Sequence, residues 1–237
     1  MVVFVDREFR EKVVAQFHAM KFEFVKRPHK LTIPTYWQGH VIGRLCPIHA
    51  DFSSENVHLL AKWRSQNREA FFTWFLPTEQ DTEKWLKEQI LLRDDRILFF
   101  VETLEQVPFG HIGITNFDFL SRSCEIDNVL CGRAGLIKGG MSAALQALMD
   151  WVFSDLSVKR MYVRVFYDNQ RALDFYTRNG FQIVKRVLTQ RVEEGSVIRW
   201  VEAQEVSGVI FEKYVLYLAV EQDQWETAKS GLHKSCT

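Results

Sequence analysis

The sequence predicts a mixed α/β fold, of the α+β kind: a twisted, mostly antiparallel sheet with helices on both faces. Three observations carry this. Apolar runs at 97–103, 108–119 and 123–131 follow one another with only turn-like residues between them, as in an antiparallel meander. From 123 to 190 the pattern becomes strand, helix, strand, helix, strand, and such crossovers bring strands together in parallel. The chain is also 47% hydrophobic and 25% charged, which suits a packed globular protein and not a disordered one.

The elements follow in order. Residues 6–20 form a helix with Phe9, Val13, Val14 and Phe17 on one side, capped by Asp6, with Glu8 in its first turn. The polar stretch after it, holding Pro28 and Pro34, reads as a connection. A strand is expected over 39–48, then a helix over about 54–70 opened by Asp51, Ser53 and Ser54. A third helix starts at Thr78, with Asp81 three residues on in the spacing of a capping box. After the meander, 139–154 is a helix beginning at Gly139-Gly140, 160–167 a strand, and 170–179 a helix stopped by Gly180. Strands are expected near 183–191, 197–203 and 213–221, with a hairpin turn at Gly195. The remaining tail has no periodicity and is expected to fray.

Composition removes several function classes. Thirty basic and thirty acidic residues leave no net charge, which argues against a nucleic-acid binder that must neutralise phosphates. No run reaches the 18 to 20 apolar residues of a membrane span, about what a bilayer requires. The first residues lack a positively charged region and a cleavage site, so they are not read as a secretory signal. Cys46, Cys124, Cys131 and Cys236 form no CxxC pair and no His cluster stands near them, so no metal is expected. Reduced thiols in a cytoplasmic protein are the simplest reading. The 19 Phe and 7 Trp imply a bulky core, an apolar groove, or both.

Two stretches carry chemistry. In the first, a strand (EIDNVLC) leads through GRAGLIKGG into a helix. A glycine-rich turn of this kind directs backbone N–H groups at an anion from a helix N-terminus, with Lys138 at its rim. It is neither a P-loop nor GxGxxG, and a structural turn is the competing reading. In the second, Asn169 stands where a strand becomes a helix, placed to cap that helix or to meet a ligand. Tyr176 lies two turns further on the same face, as a core residue or as a proton donor in a cleft.

Taken together, IKGGMSAALQALMDWVF and VRVFYDNQRALDFYTRNGF resemble the GNAT superfamily of acetyl-coenzyme A dependent N-acetyltransferases. The likeness spans roughly 39–220. AKWRSQNREAFF followed by TEQDTEKWL is similar to the sugar- and peptide-modifying branch. The resemblance implies a GNAT fold over 39–237 with an N-terminal extension over 1–38, and a central pair of strands that splay apart to admit the coenzyme. It implies that Lys138, Gly139, Gly140, Met141 and Ser142 form the pyrophosphate loop. Met141 stands where the family has Gly or Ala, and Gly135 or Arg133 are the alternatives for that loop. Val129, Leu130 and Cys131, with Asn128 before them, would offer backbone groups to the pantetheine arm. Asn169 would hydrogen-bond the same arm, with Ala172 and Phe175 beside it. Tyr176 would sit near the sulfur.

The activity so implied is transfer of an acetyl group from acetyl-CoA to a primary amine by direct attack in a ternary complex, with no metal. An amine of pKa about 10 is mostly protonated at neutral pH, so a base must take a proton before it attacks. Glu125 and Asp127, two residues apart on one side of a strand, are the candidates, each also placed to be solvated or to pair with an Arg. His111 and then Glu102 come next. A strand N–H near Leu130 would meet the oxyanion, and Tyr176 would protonate the leaving thiolate. Arg64, Asn67, Arg68 and Phe72 line the acceptor pocket or, equally, a solvated helix face. The acceptor leans toward an amino sugar or nucleotide-linked amino sugar. A protein N-terminal amine, a polyamine, another acyl group, and a non-catalytic acyl-CoA-binding module stay open. The expected partners are a small amine and, in a homodimer, a second copy; nucleic acid and membrane are not expected.

Overall fold

The computed structural model describes residues 6–203 and 213–234. In chain order they form α1 (Arg7–Phe22), α2 (Pro28–Leu31), β1 (Ile33–Trp37), β2 (His40–Pro47), α3 (Ser54–Gln66), β3 (Thr73–Trp74) and α4 (Glu79–Trp85). Then come β4 (Ile97–Thr103), β5 (Pro108–Asp118), β6 (Ser123–Cys131), α5 (Gly140–Ser154), β7 (Arg160–Phe166) and α6 (Gln170–Arg178). β8 (Gln182–Glu194), β9 (Val197–Glu202), β10 (Lys213–Glu221) and α7 (Gln222–Lys234) complete the chain. The expected mixed α/β class holds, with mostly antiparallel strands. β4 and β6 fall on the residues that their apolar runs predict.

These elements divide between two compact units. The first takes the described residues up to Phe52, Leu86–Tyr162 and those from Val220 onward. Its strands run β1-β2-β4-β5-β6, all antiparallel, and the start of β7 joins β6 in parallel. That parallel ladder covers Ser123–Glu125 against Arg160–Tyr162, while Ile126–Cys131 carries its ladder on β5. Apolar residues of α1 and α5 pack on the sheet: Phe17 lies 5.5 Å from Phe117 and 6.2 Å from Trp151, and Trp151 meets Phe99 edge-on at 5.6 Å. Asp6 caps α1 as its sequence predicts, accepting a hydrogen bond from the Phe9 N–H at 3.0 Å.

Two expectations fail in this unit. The stretch read as a connection contains β1, whose Pro34 pairs opposite Arg44. A proline supplies no ladder N–H, and the outermost strand of the sheet is where that is tolerated. The tail read as fraying forms α7. Its Trp225 Nε1 and Lys229 Nζ both donate to Asp150 of α5, at 2.7 and 2.8 Å. A partner more than seventy residues away holds the helix, which local periodicity cannot announce. Cys236 lies outside the described residues.

The second unit takes Ser53–Trp85 and the described residues of 163–219. Its strands run from the end of β7 through β10, β8 and β9 to β3. Phe166, Trp200 and Val215 are buried together, with Phe72, Trp74 and Tyr217 packed on them. Lys213 lays its ammonium over the rings of Phe166, Trp200 and Trp74 and pairs with Asp168 at 2.7 Å. Ser53 and Asn56 close a reciprocal capping box on α3. Gly195 turns the β8–β9 hairpin at a φ of 62°. Much of the aromatic excess is thus core, as Phe17, Phe99, Phe153 and Phe181 are fully buried.

Candidate active site

In the first unit, β6 is interrupted by a bulge. Gly113 faces Asp127 and His111 faces Leu130, so Asn128 and Val129 together oppose Ile112. The extra residue reverses the alternation of side chains, so Leu130 comes to the same face as Asp127. Asn128 absorbs the distortion at a φ of 51°, in the left-handed region that Asn tolerates better than most residues. The bulge displaces the backbone groups of Asn128 and Val129 from the ladder, which resumes at Leu130 opposite His111 and Cys131 opposite Gly110.

Eight residues separate the end of β6 from the start of α5. Gly139 caps it at a φ of 75°, and a Cβ there would lie 2.8 Å from the Trp37 ring. Conformation and space therefore both require glycine. A Cβ on Gly140 would meet Phe109 at 2.9 Å. Met141 fits because Gly110 on β5 gives it room: a Cβ on Gly110 would lie 2.8 Å from the Met141 sulfur. The bulky residue is turned back onto the sheet, so it does not fill the space beyond the helix end. No acidic side chain stands in the first turn of α5, and Lys138 is exposed just before it. A helix N-terminus with these features suits a phosphate.

One face of this unit's sheet carries a row of polar groups, since directly paired residues share a face. The pairs Arg44↔Glu102, Cys46↔Phe100, Phe100↔His111, Gly113↔Asp127 and Thr115↔Glu125 place Arg44, Cys46, Glu102, His111, Glu125 and Asp127 together on it. Phe99, two residues from Val101 and between Leu98 and Phe100, faces the other way, onto Trp151 of α5. Glu125 is buried, and its Oε2 accepts from Asn116 Nδ2 at 2.7 Å. Asp127 pairs with Arg96, and it also accepts from the Asn128 N–H and the Asn128 Nδ2, each at 2.7 Å. His111 is buried and its Nδ1 donates to the Asn128 carbonyl at 2.5 Å. Glu102 accepts from Arg44 Nε at 2.9 Å; burial raises its carboxyl above the usual range, against the pull of that guanidinium. The same burial, with Glu102 nearby, pushes the Cys46 thiol up to about 12, so Cys46 is no nucleophile at neutral pH.

In the second unit, Asn169 caps α6, its Oδ1 accepting from the Ala172 N–H at 3.1 Å. Tyr176 is buried, with its ring edge-on to Phe175 at 5.1 Å and to Phe181 at 5.5 Å. Ala172 and Phe175 are half-buried. Gly180 ends the helix at a φ of 92°. Of the residues expected in an acceptor pocket, Arg64 donates to the Thr73 carbonyl at 2.8 Å and stacks 3.5 Å from the Phe71 ring, holding the turn after α3. Asn67 closes the end of α3 through the Trp63 carbonyl, and Phe72 packs on Phe166 at 4.6 Å. Arg68 is exposed.

A model of the acetyltransferase (GNAT) domain matches residues 50–182, more than half of the chain and inclusive of the bulge, the α5 cradle and the α6 motif. The chain belongs to the GNAT acetyltransferase family. Its relatives include the acetyltransferase PseH of Campylobacter jejuni, 28% identical over 137 residues, which covers 56% of this chain and 81% of that protein. Among solved structures, the GNAT fold is shared with the spermidine N-acetyltransferase of Vibrio cholerae in complex with CoA and spermine, at a TM-score of 0.57 and 16% identity over 73% of this chain and 94% of that one. A dodecameric form of the Vibrio enzyme matches at a TM-score of 0.54, 15% identity and 73% and 92% coverage.

As a GNAT acetyltransferase the chain has features that sequence reasoning missed. Arg96, Asn116, Trp37 and Gly110 each touch a predicted site residue. The Asp127-Asn128 dipeptide was the one available signal, because such pairs favour turns over regular strands. Among the described residues, no group of three His, Cys, Asp or Glu is placed to hold a metal. Among them too, no helix is long and apolar enough to cross a membrane.

Proposed function

We propose that this acetyltransferase moves the acetyl group of acetyl-CoA to a primary amine, with an amino sugar or nucleotide-linked amino sugar as the acceptor class. The observation that carries the reading is the bulged β6 leading into the αL-capped start of α5. Backbone N–H groups at the α5 N-terminus hold the diphosphate, and Lys138 adds a charge beside them. The strand beyond the bulge, Val129–Cys131, offers its backbone to the pantetheine arm. Acetyl-CoA supplies an activated acyl group. Glu125 takes the proton from the amine, since the oxygens of Asp127 are already engaged by Arg96 and Asn128. A backbone N–H near Leu130 meets the negative charge that develops on the acetyl oxygen. For the second unit the reading rests on the family motif: Asn169 and Phe175 serve the pantetheine, and Tyr176 returns a proton to the thiolate. The sugar acceptor is supported by the likeness of 61–72 and 78–86 to the sugar- and peptide-modifying branch.

The test is acetyl-CoA consumption across a panel of amines that includes nucleotide-linked amino sugars, spermidine and a peptide N-terminus. Turnover with the nucleotide sugar is expected to lead the panel. Leading turnover with spermidine or peptide would overturn the acceptor class. No thermal stabilisation at a hundredfold excess of acetyl-CoA over a micromolar-range Kd, where about 2.7 kcal/mol is expected, would overturn coenzyme binding itself.

A further inference from the structure

The bulge in β6 is held from three sides by side chains, none of which the proposed chemistry uses. The Asn128 N–H and its side-chain amide are both taken by Asp127. The Asn128 carbonyl is taken by Nδ1 of His111, from the neighbouring strand. Asp127 is anchored in turn by Arg96, which stands one residue before β4. Both backbone polar groups of Asn128 and its side-chain N–H are therefore held at the one residue of β6 with positive φ. Without such partners a left-handed residue in a strand would relax toward the extended region, at a gain on the order of 1–3 kcal/mol. Relaxation would remove the bulge and move Leu130 to the opposite face.

We infer that Arg96, Asp127 and His111 form a clamp on Asn128 whose role is to aim the N–H groups past the bulge at the acetyl oxygen. They are positioning residues, and Asp127 is not the base. The inference rests on the proposed function, because it presumes that the strand beyond the bulge meets the thioester. It assigns the two ends of the coenzyme to separate parts of the unit. The diphosphate belongs to α5, whose geometry depends on Gly139, Trp37 and Phe109 and not on the clamp. The acetyl oxygen belongs to the clamped bulge. The pantetheine arm lies between them along Val129–Cys131, so loosening the clamp should damage turnover more than it damages the affinity for CoA.

The experiment compares Arg96→Ala and Asp127→Asn with the unaltered protein. It measures kcat with the best amine of the panel, Kd for CoA by calorimetry, and Tm. Both variants should lose about tenfold or more in kcat, a fraction of the hundredfold that a single oxyanion donor is worth. Kd for CoA should rise by a smaller factor than kcat falls; an equal rise would show that the clamp serves binding alone and overturns it. If Asp127 were the base, Arg96→Ala would leave it free and kcat would hold or rise while Asp127→Asn lost activity; that pattern overturns the clamp. A fall in Tm with kcat unchanged at a temperature where both variants are folded would show a merely structural network, and also overturns it. Asn128→Gly adopts positive φ without strain and should retain more activity than Asn128→Val, which resists it. Equal loss in the two is a further refutation that does not depend on Asp127 or Arg96 variants folding. If the unaltered protein bound no CoA, the proposed function would fail before the clamp was tested.

Discussion

The bulged strand of the first unit and the motif helix of the second reach their geometry by opposite routes. α6 is built almost wholly from its own residues: Asn169 caps it three residues upstream of the N–H it binds, Tyr176 packs between Phe175 and Phe181, and Gly180 ends it. The bulge at Asn128 depends on Arg96 and His111, which lie 32 and 17 residues away in sequence. The cradle at α5 belongs with the bulge, since Trp37 and Phe109 from distant strands dictate its glycines. Locally specified geometry survives single changes elsewhere. Geometry specified from a distance fails when any one of several remote residues is changed.

The largest combined effect on coenzyme affinity and stability should follow from breaking the cradle. Gly139→Val must place a β-branched residue at a φ of 75° with its Cβ against the Trp37 ring. The conformational penalty alone is about 1–2 kcal/mol, and the steric conflict adds to it. Affinity for CoA should fall by at least about tenfold, with a lower Tm. If Trp37 is what forbids the side chain, Trp37→Ala combined with Gly139→Val should recover part of the loss. No recovery would leave backbone conformation as the sole cause.

Tyr176→Phe tests the local side of the contrast. The ring packing between Phe175 and Phe181 is kept, so Tm should change little. A group that protonates the thiolate should contribute about 10²-fold to turnover, with acetyl-CoA affinity preserved. Equal losses in kcat and in Kd would remove the acid role. Glu125→Gln keeps an oxygen for Asn116 and should lower kcat by a similar factor. Full activity in that variant would send the search for the base to His111 or Glu102, which share its face of the sheet.

The same contrast explains what could be read in the sequence. The strands of the meander and the helix limits near Gly139 and Gly180 are set by periodicity, caps and glycines, all visible within a few residues. The motif around Asn169 and Tyr176 is contiguous, so its family likeness was legible. β1 was hidden because Pro34 looks like a breaker until an outer strand gives it a place. α7 was hidden because Asp150 holds it from α5. The division of labour between Glu125 and Asp127 was invisible for the same reason. Their spacing made them equivalent, and only the arrival of Arg96 at Asp127 and Asn116 at Glu125 separates them.

The smallest effect is also the one that separates two uses of a single side chain. Asn169 Oδ1 accepts the Ala172 N–H, which makes Asn169 a structural cap. The proposed function also gives its amide group to the pantetheine. Asn169→Ala removes both and should lower stability by about 1 kcal/mol, as loss of a cap does. Asn169→Asp keeps an equally good cap and adds a favourable charge at a helix N-terminus, so Tm should hold or rise slightly. It cannot donate a hydrogen bond when ionised. If the amide donates to a pantetheine carbonyl, Asn169→Asp should weaken CoA several-fold while leaving Tm intact. If CoA affinity is unchanged in Asn169→Asp, capping is the whole of the residue's role. The motif helix would then owe this asparagine to its own folding, and the coenzyme contacts would rest with the cradle and bulge of the first unit.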